Sequence, residues 1–135
     1  MTPVITELGT LLSSMTPVLD RVDYVFVSVP ADHPGGLQLS AEALLQFRET
    51  EGITFVVPVV EAIKLGVPFE FSCRRISLMV YSSLSAVGFL AVICSELAKA
   101  GISVNPVSAY HHDHLFVPAV QADEAMTVLR RIATE

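Results

Sequence analysis

An α+β fold built from two β-rich modules in tandem is what this sequence predicts, and three observations predict it. Apolar, β-branched runs such as DYVFVSV (23–29), ITFVVP (53–58) and RRISLMVYSS (74–83) alternate with stretches of helical period. The hexamers VPVVEA (57–62) and VPAVQA (117–122) recur 60 residues apart, each ending an apolar strand and opening a helix. No linker or low-complexity segment interrupts the 135 residues, so the two modules are expected to share one globule.

Taken in order, a helix is expected near 4–15, followed by the strand at 23–29. SAEALLQFRETEG (40–52) is contested: Ser40 as N-cap, strong helix formers and Gly52 as a stop favour a helix. The 60-residue offset sets it opposite ISVNPVSAY (102–110), however, and Ala43, Leu45 and Phe47 alternate, so a strand is expected over 43–49. The strand 53–58 leads into a helix at 59–65 that stops at Gly66, and PFEFSC (68–73) reads as a short strand. In the second half, the strand 74–83 precedes a helix whose face is Val87, Leu90, Ala91, Cys94, Leu97 and Ala98, flanked by Phe89 and Ile93. Strands at 102–110 and 114–119 follow, then a helix at 121–133 with Ala122, Ala125, Met126, Leu129 and Ile132 on one face.

The first copy lacks a long helix after its first strand, and the second ends on a helix with no fourth strand. These half-units fit tandem ferredoxin-like modules derived from βαββαβ, with antiparallel sheets and helices on one face. The module boundaries fall at 1–73 and 74–135.

Composition narrows the function. The chain is 52% hydrophobic and 16% charged, against roughly 25% charged for an average soluble domain. A surface this short of charge suggests cover by another copy of the chain or by a partner, and a homodimer is expected. A net charge of −6 argues against nucleic-acid binding, since Arg74-Arg75 and Arg130-Arg131 are the only basic clusters and read as solvated element ends. The start of the chain lacks a basic n-region, and the longest apolar run, LSAVGFLAVIC (84–94), is shorter than the ~20 residues a bilayer requires. A cytoplasmic protein that does not engage membranes is expected. Cys73 and Cys94 belong to no C-x-x-C motif, and Cys94 reads as a buried small hydrophobe.

Several stretches resemble a known family. YSSLSAVGFLAVICSELAKAGISVNPVSAY resembles the core of an ACT domain, with Gly88, Leu97-Ala98, Gly101-Ile102 and Asn105 at that family's pattern positions. The whole chain looks like a small stand-alone bacterial protein of two ACT-type modules, a likeness carried by DYVFVSV, FRETEGIT and YHHDHLFVP. The loop departs from the family in having Ser-Ala-Val before Gly88, where Asp and Pro are common. The resemblance implies a non-catalytic regulatory module that binds an amino acid or similar metabolite at a module or subunit interface. Output would then pass through a separate effector protein, and no cofactor is implied.

The residues themselves allow such a site. The loop of Ser82, Ser83, Leu84, Ser85, Ala86, Val87 and Gly88 enters a helix N-terminus, where free N–H groups favour a carboxylate. Its serines could equally be helix caps. Asn105, early in a strand, is a further contact or a partner for a neighbouring loop. A ligand ammonium calls for a carboxylate, either Asp113 in the hairpin or Glu49 or Glu51 in RETEG. Asp113 also resembles, by its place before an F-V strand, an acidic ligand contact of tandem ACT proteins that sense arginine. The alternative for Asp113 is an Asx-type turn residue. The expected site is thus Ser82, Ser83, Leu84, Ala86, Val87, Gly88, Asn105, His112, Asp113 and Glu51.

HHDH (111–114) also raises a metal reading, with His112 and His114 as an H-x-H pair and Glu51, His33 or another subunit completing the set. A further alternative is a dimerisation module with no ligand. An enzyme is not expected, because the sequence has no nucleophile elbow, no glycine-rich phosphate loop and no Cys-His motif.

Overall fold

A computed structural model describes residues 7–134. The chain forms two compact units, one of residues 22–73 and the other of residues 7–21 with 74–134. Helix α1 (Leu8–Ser14) and strand β1 (Thr16–Leu19) belong to the latter unit. Strands and helices β2 (Tyr24–Val29), α2 (Gly36–Glu42), β3 (Leu45–Glu49), β4 (Gly52–Pro58) and α3 (Val59–Leu65) form the former. Strand β5 (Glu70–Met79) gives residues 70–73 to that unit and 74–79 to the other. Then come α4 (Phe89–Lys99), β6 (Asn105–Ser108), β7 (Asp113–Pro118), a 3-10 turn (Ala119–Gln121) and α5 (Ala122–Thr134).

The 22–73 unit is a complete β-α-β-β-α-β fold with strand order β3-β4-β2-β5, antiparallel throughout. Alternation in β2 and β4 sends Val25, Val27, Val29, Phe55 and Val57 to one face, where Leu39 of α2 and Ala62 of α3 cover them. No long helix is expected after the first strand, and α2, which lies there, has only seven residues. It begins at Gly36, after the N-cap Gly35, and buries Leu39 alone, so neither propensity nor periodicity announces it. Residues 45–49 form a strand, as expected against their propensity, because pairing Leu45 with Val56 and Phe47 with Thr54 outweighs a helix that could bury little.

Gly52 closes the β3–β4 hairpin at φ +154°, and a Cβ there would lie 2.7 Å from the Val29 carbonyl oxygen. Because that neighbour is backbone in the sheet, Gly52→Ala is expected to destabilise the protein by about 2 kcal/mol. Urea unfolding measures this; an unchanged midpoint would contradict the packing described.

In the other unit the strand order is β5-β7-β6, and β1 pairs antiparallel with β5, from Thr16 against Met79 to Leu19 against Ile76. The fourth strand of this β-α-β-β-α-β fold therefore comes from early in the chain. PFEFSC and RRISLMVYSS, read as two strands, are one. Ile76, Leu78, Leu115 and Val117 form the core with Leu11, Phe89, Ile93, Leu97, Ala125 and Leu129 from the helices. Helix α5 buries the face its periodicity predicted. Helix α4 does not: Phe89, Ile93 and Leu97 point inward, whereas Val87 lies outside the helix and is 84% exposed. Cys94 is half-buried, not fully buried. Arg75 is no solvated end either, since it lies within β5 and its guanidinium sits 3.1 Å from the Asp20 carboxylate. The part of the N-terminal helix expected at 4–6 lies outside the described residues. No helix among those described is long and apolar enough to cross a membrane.

Candidate functional site

Between the end of β5 and the start of α4, the loop Ser82–Gly88 borders a cavity of about 140 Å³. Its lining includes Ser82, Ser83, Leu84, Ala86 and Gly88 from the loop, Phe89, Leu90 and Ala91 from the first turn of α4, and Ser108, Ala109 and Asp113 from the β6–β7 hairpin. Gly88 is the N-cap, at φ +91°, a conformation that suits glycine, and among the described residues no side chain caps the helix. The serines are occupied elsewhere. Ser83 Oγ accepts from the Ser85 amide at 3.0 Å, and Ser82 Oγ donates to Asp113 Oδ2 at 3.4 Å. The first N–H groups of α4 thus border the cavity without a side-chain acceptor.

Asp113 opens β7 opposite Ser108 and is only 8% exposed, so it is a strand residue and not the tip of a turn. The other buried acid among the described residues, Glu61, has Lys64 Nζ at 3.4 Å and Gln38 Nε2 at 3.3 Å. Asp113 has the Ser82 hydroxyl and no cation among the described residues. Burying a carboxylate without a counter-charge is costly, and a cation entering the cavity would offset that cost. Its negative charge already acts on its surroundings: burial, and then Asp113, raise the Cys94 thiol pKa above its ordinary value.

The pleat separates the other expected residues. Asp113, Leu115 and Val117 share the helix-covered face of β7, while His114 and Phe116 face the other way. Asn105, paired with Phe116, is on that opposite face and exposed. Val87 does not line the cavity, and Glu51 is exposed at the β3–β4 turn of the other unit. His112 precedes β7 and its Nδ1 donates to the Val80 carbonyl at 3.3 Å, bracing the hairpin beside the cavity. The start of α4 was expected at the site, whereas Phe89, Leu90, Ala91, Ser108 and Ala109 were not among the expected residues. Pairing the two strands symmetrically about Tyr110-His111 would have placed Ser108 against Asp113.

The metal reading receives no support. His114 Nδ1 bonds Ser77 Oγ at 2.8 Å, the His112 and His114 rings are 6.4 Å apart, and no set of three potential ligands is placed for a metal among the described residues. Burial, with Arg75 and His112 nearby, pulls the His114 pKa below its ordinary value. The unfolded chain then takes up this proton first as pH falls through about 6.5, and stability is lost from there down through the folded value. Above that range the contribution is intact. His114→Gln is expected to flatten the stability–pH slope below pH ~6.5; an identical slope in the variant would contradict this burial.

The 22–73 unit has a cavity of about 250 Å³ at the corresponding place, after its first strand, lined by Pro30, Ala31, His33 and Gly36 among others. ADHPGG (31–36), directly after the strand 23–29, was the unused signal for it.

Two ACT-domain family profiles match the sequence, one over residues 3–74 and one over 70–131. The chain belongs to the ACT-domain family. A Vibrio cholerae protein of unknown function, described as a possible transport protein, is 37% identical at a TM-score of 0.83, over 93% of this chain and 95% of that one. An Agrobacterium tumefaciens protein shares the fold at 15% identity and a TM-score of 0.74, covering 88% and 89%. The regulatory subunit of aspartate kinase from Thermus flavus does so at 14% identity and a TM-score of 0.58, covering 87% and 97%. No curated protein shows significant sequence similarity. ACT domains are regulatory modules that typically bind small molecules, and this chain carries two in tandem.

Proposed function

We propose that this tandem ACT protein is a non-catalytic sensor that binds a small amino acid in the cavity between loop 82–88 and Asp113. One observation carries the reading: among the described residues, a buried carboxylate with no cation shares a cavity with an uncapped helix start. The two poles complement a zwitterion. The ligand carboxylate would take the N–H groups at the start of α4, and its ammonium would face Asp113. The cavity is smaller than the roughly 300–1,000 Å³ of pockets for drug-sized ligands, which favours a metabolite of few atoms. Exposed Leu84 (68%) and Val87 (84%) in the loop and Tyr110 (79%) in the hairpin support a homodimer covering this region. In this reading the protein is cytoplasmic and passes occupancy to a separate effector protein.

A thermal-unfolding screen against the proteinogenic amino acids tests it. A ligand at 100 times its Kd stabilises by about 2.7 kcal/mol, a shift of several degrees. A selective rise with one or a few small amino acids is the expected result, and no rise with any would refute the proposal.

A further inference from the structure

We infer that the open sheet face of the 22–73 unit holds a second site, one that takes a small organic ammonium ion with an apolar body. Val25, Val27 and Val29 of β2 face the helices, so Phe26 and Ser28 face away from them. On β4, Thr54 is paired with Ser28 and lies on the same open face. The segment Pro68–Glu70 closes these residues into a cavity of about 410 Å³.

A local irregularity shapes this cavity. Between the pairs Tyr24–Cys73 and Phe26–Glu70, β2 advances by two residues and β5 by three, which makes a bulge. Phe71 in the bulge has φ +60°, the one non-glycine residue at positive φ among those described. An aromatic residue seldom adopts that conformation, and here the Phe71 ring packs edge-on against Phe26 with centroids 5.9 Å apart. The bulge sets Glu70 opposite Phe26 at the rim. Glu70 is exposed, and no side chain among the described residues hydrogen-bonds or ion-pairs with its carboxylate.

The lining chemistry selects the ligand. Phe26 and the half-exposed Phe69 give apolar, aromatic walls that attract a cation. The polar groups are Glu70 and the hydroxyls of Ser28 and Thr54, and the Thr54 hydroxyl already donates to Glu49. Among the described residues no lysine, arginine or helix start lines the cavity, so no positive group there faces a ligand carboxylate. This distinguishes it from the cavity beside Asp113, which offers both poles. The net charge of −6 also favours approach of a cation.

Calorimetric titration of the full chain with phenethylammonium tests the site, with 3-phenylpropionate as a probe of similar body and opposite charge. Saturable one-to-one binding of the amine is expected, weakened about tenfold or more by Glu70→Gln and unchanged by Asp113→Asn. Glu70 is exposed, so its substitution leaves the fold intact, and an unchanged unfolding temperature verifies that. No saturable binding, equal affinity in the Glu70 variant, loss in the Asp113 variant alone, or equal binding of the anion would each overturn the inference. Because the Asp113 variant leaves this site untouched, failure here is distinguishable from failure of the sensor proposal.

Discussion

Leu129→Ala is expected to lower folding stability by about 3–4 kcal/mol, with a fall in unfolding temperature of about 10 °C. Leu129 is fully buried in α5, within the cluster that holds Leu115 and Val117 of β7 against Phe89, Ile93 and Leu97 of α4. Truncation removes a large apolar side chain where helices and sheet close over the site on three sides, so the structure has little means of collapsing into the space. Val120→Ala serves as the control, because Val120 is 96% exposed in the 3-10 turn before the same helix and should change stability by less than about 0.5 kcal/mol. Chemical denaturation of both variants decides the point. A Leu129 variant within 1 kcal/mol of the parent would mean that α5 is not packed as described.

Asp113→Ala should have the opposite profile, with ligand binding lost and the fold kept. Removing one partner of a buried, hydrogen-bonded charge pair costs about 2–5 kcal/mol of binding, so affinity for the amino acid should fall by at least about thirtyfold. The carboxylate is buried with no cation beside it among the described residues. Deleting it therefore removes a desolvation cost, and the variant should unfold at or above the temperature of the parent. Asp113→Asn keeps a side-chain acceptor for the Ser82 hydroxyl but loses the charge, and should bind as poorly as the alanine variant. Retained affinity in either variant, or a stability loss of several kcal/mol in the alanine variant, would count against the role given to Asp113.

Strands β2, β4 and β7 and the last helix were legible because each one's period matches the face it buries, as Ala122, Ala125, Met126, Leu129 and Ile132 do in α5. The family was legible too, since loop, helix and glycine stop keep their spacing in the second module. Three features were not legible, each for a physical reason. The partnership of Thr16–Leu19 with β5 is a long-range pairing, and local sequence carries no mark of which edge a short strand will join. Helix α2 begins on glycine and buries one side chain, so it has almost no periodic signal. The inward stripe of α4, Phe89, Ile93 and Leu97, competed with an equally apolar neighbouring stripe, and only the packing chose between them.

The site was half legible for similar reasons. Glycine at the head of α4 and the acid of YHHDHLFVP were visible as residue types, and they line one cavity. That Asn105 projects to the opposite face from Asp113 depends on the register of β6 on β7, which pairs Asn105 with Phe116 and Ser108 with Asp113. That the serines leave α4 uncapped is a matter of side-chain choice, which sequence does not fix.

The most direct measurement is an amide NMR titration of the uniformly labelled protein with the amino acid that stabilises it most. The account predicts saturable shifts concentrated at Ser82–Gly88, the first turn of α4, Ser108 and Asp113. Shifts confined to Pro30–Gly36 of the other unit, or no saturable shifts at all, would contradict it.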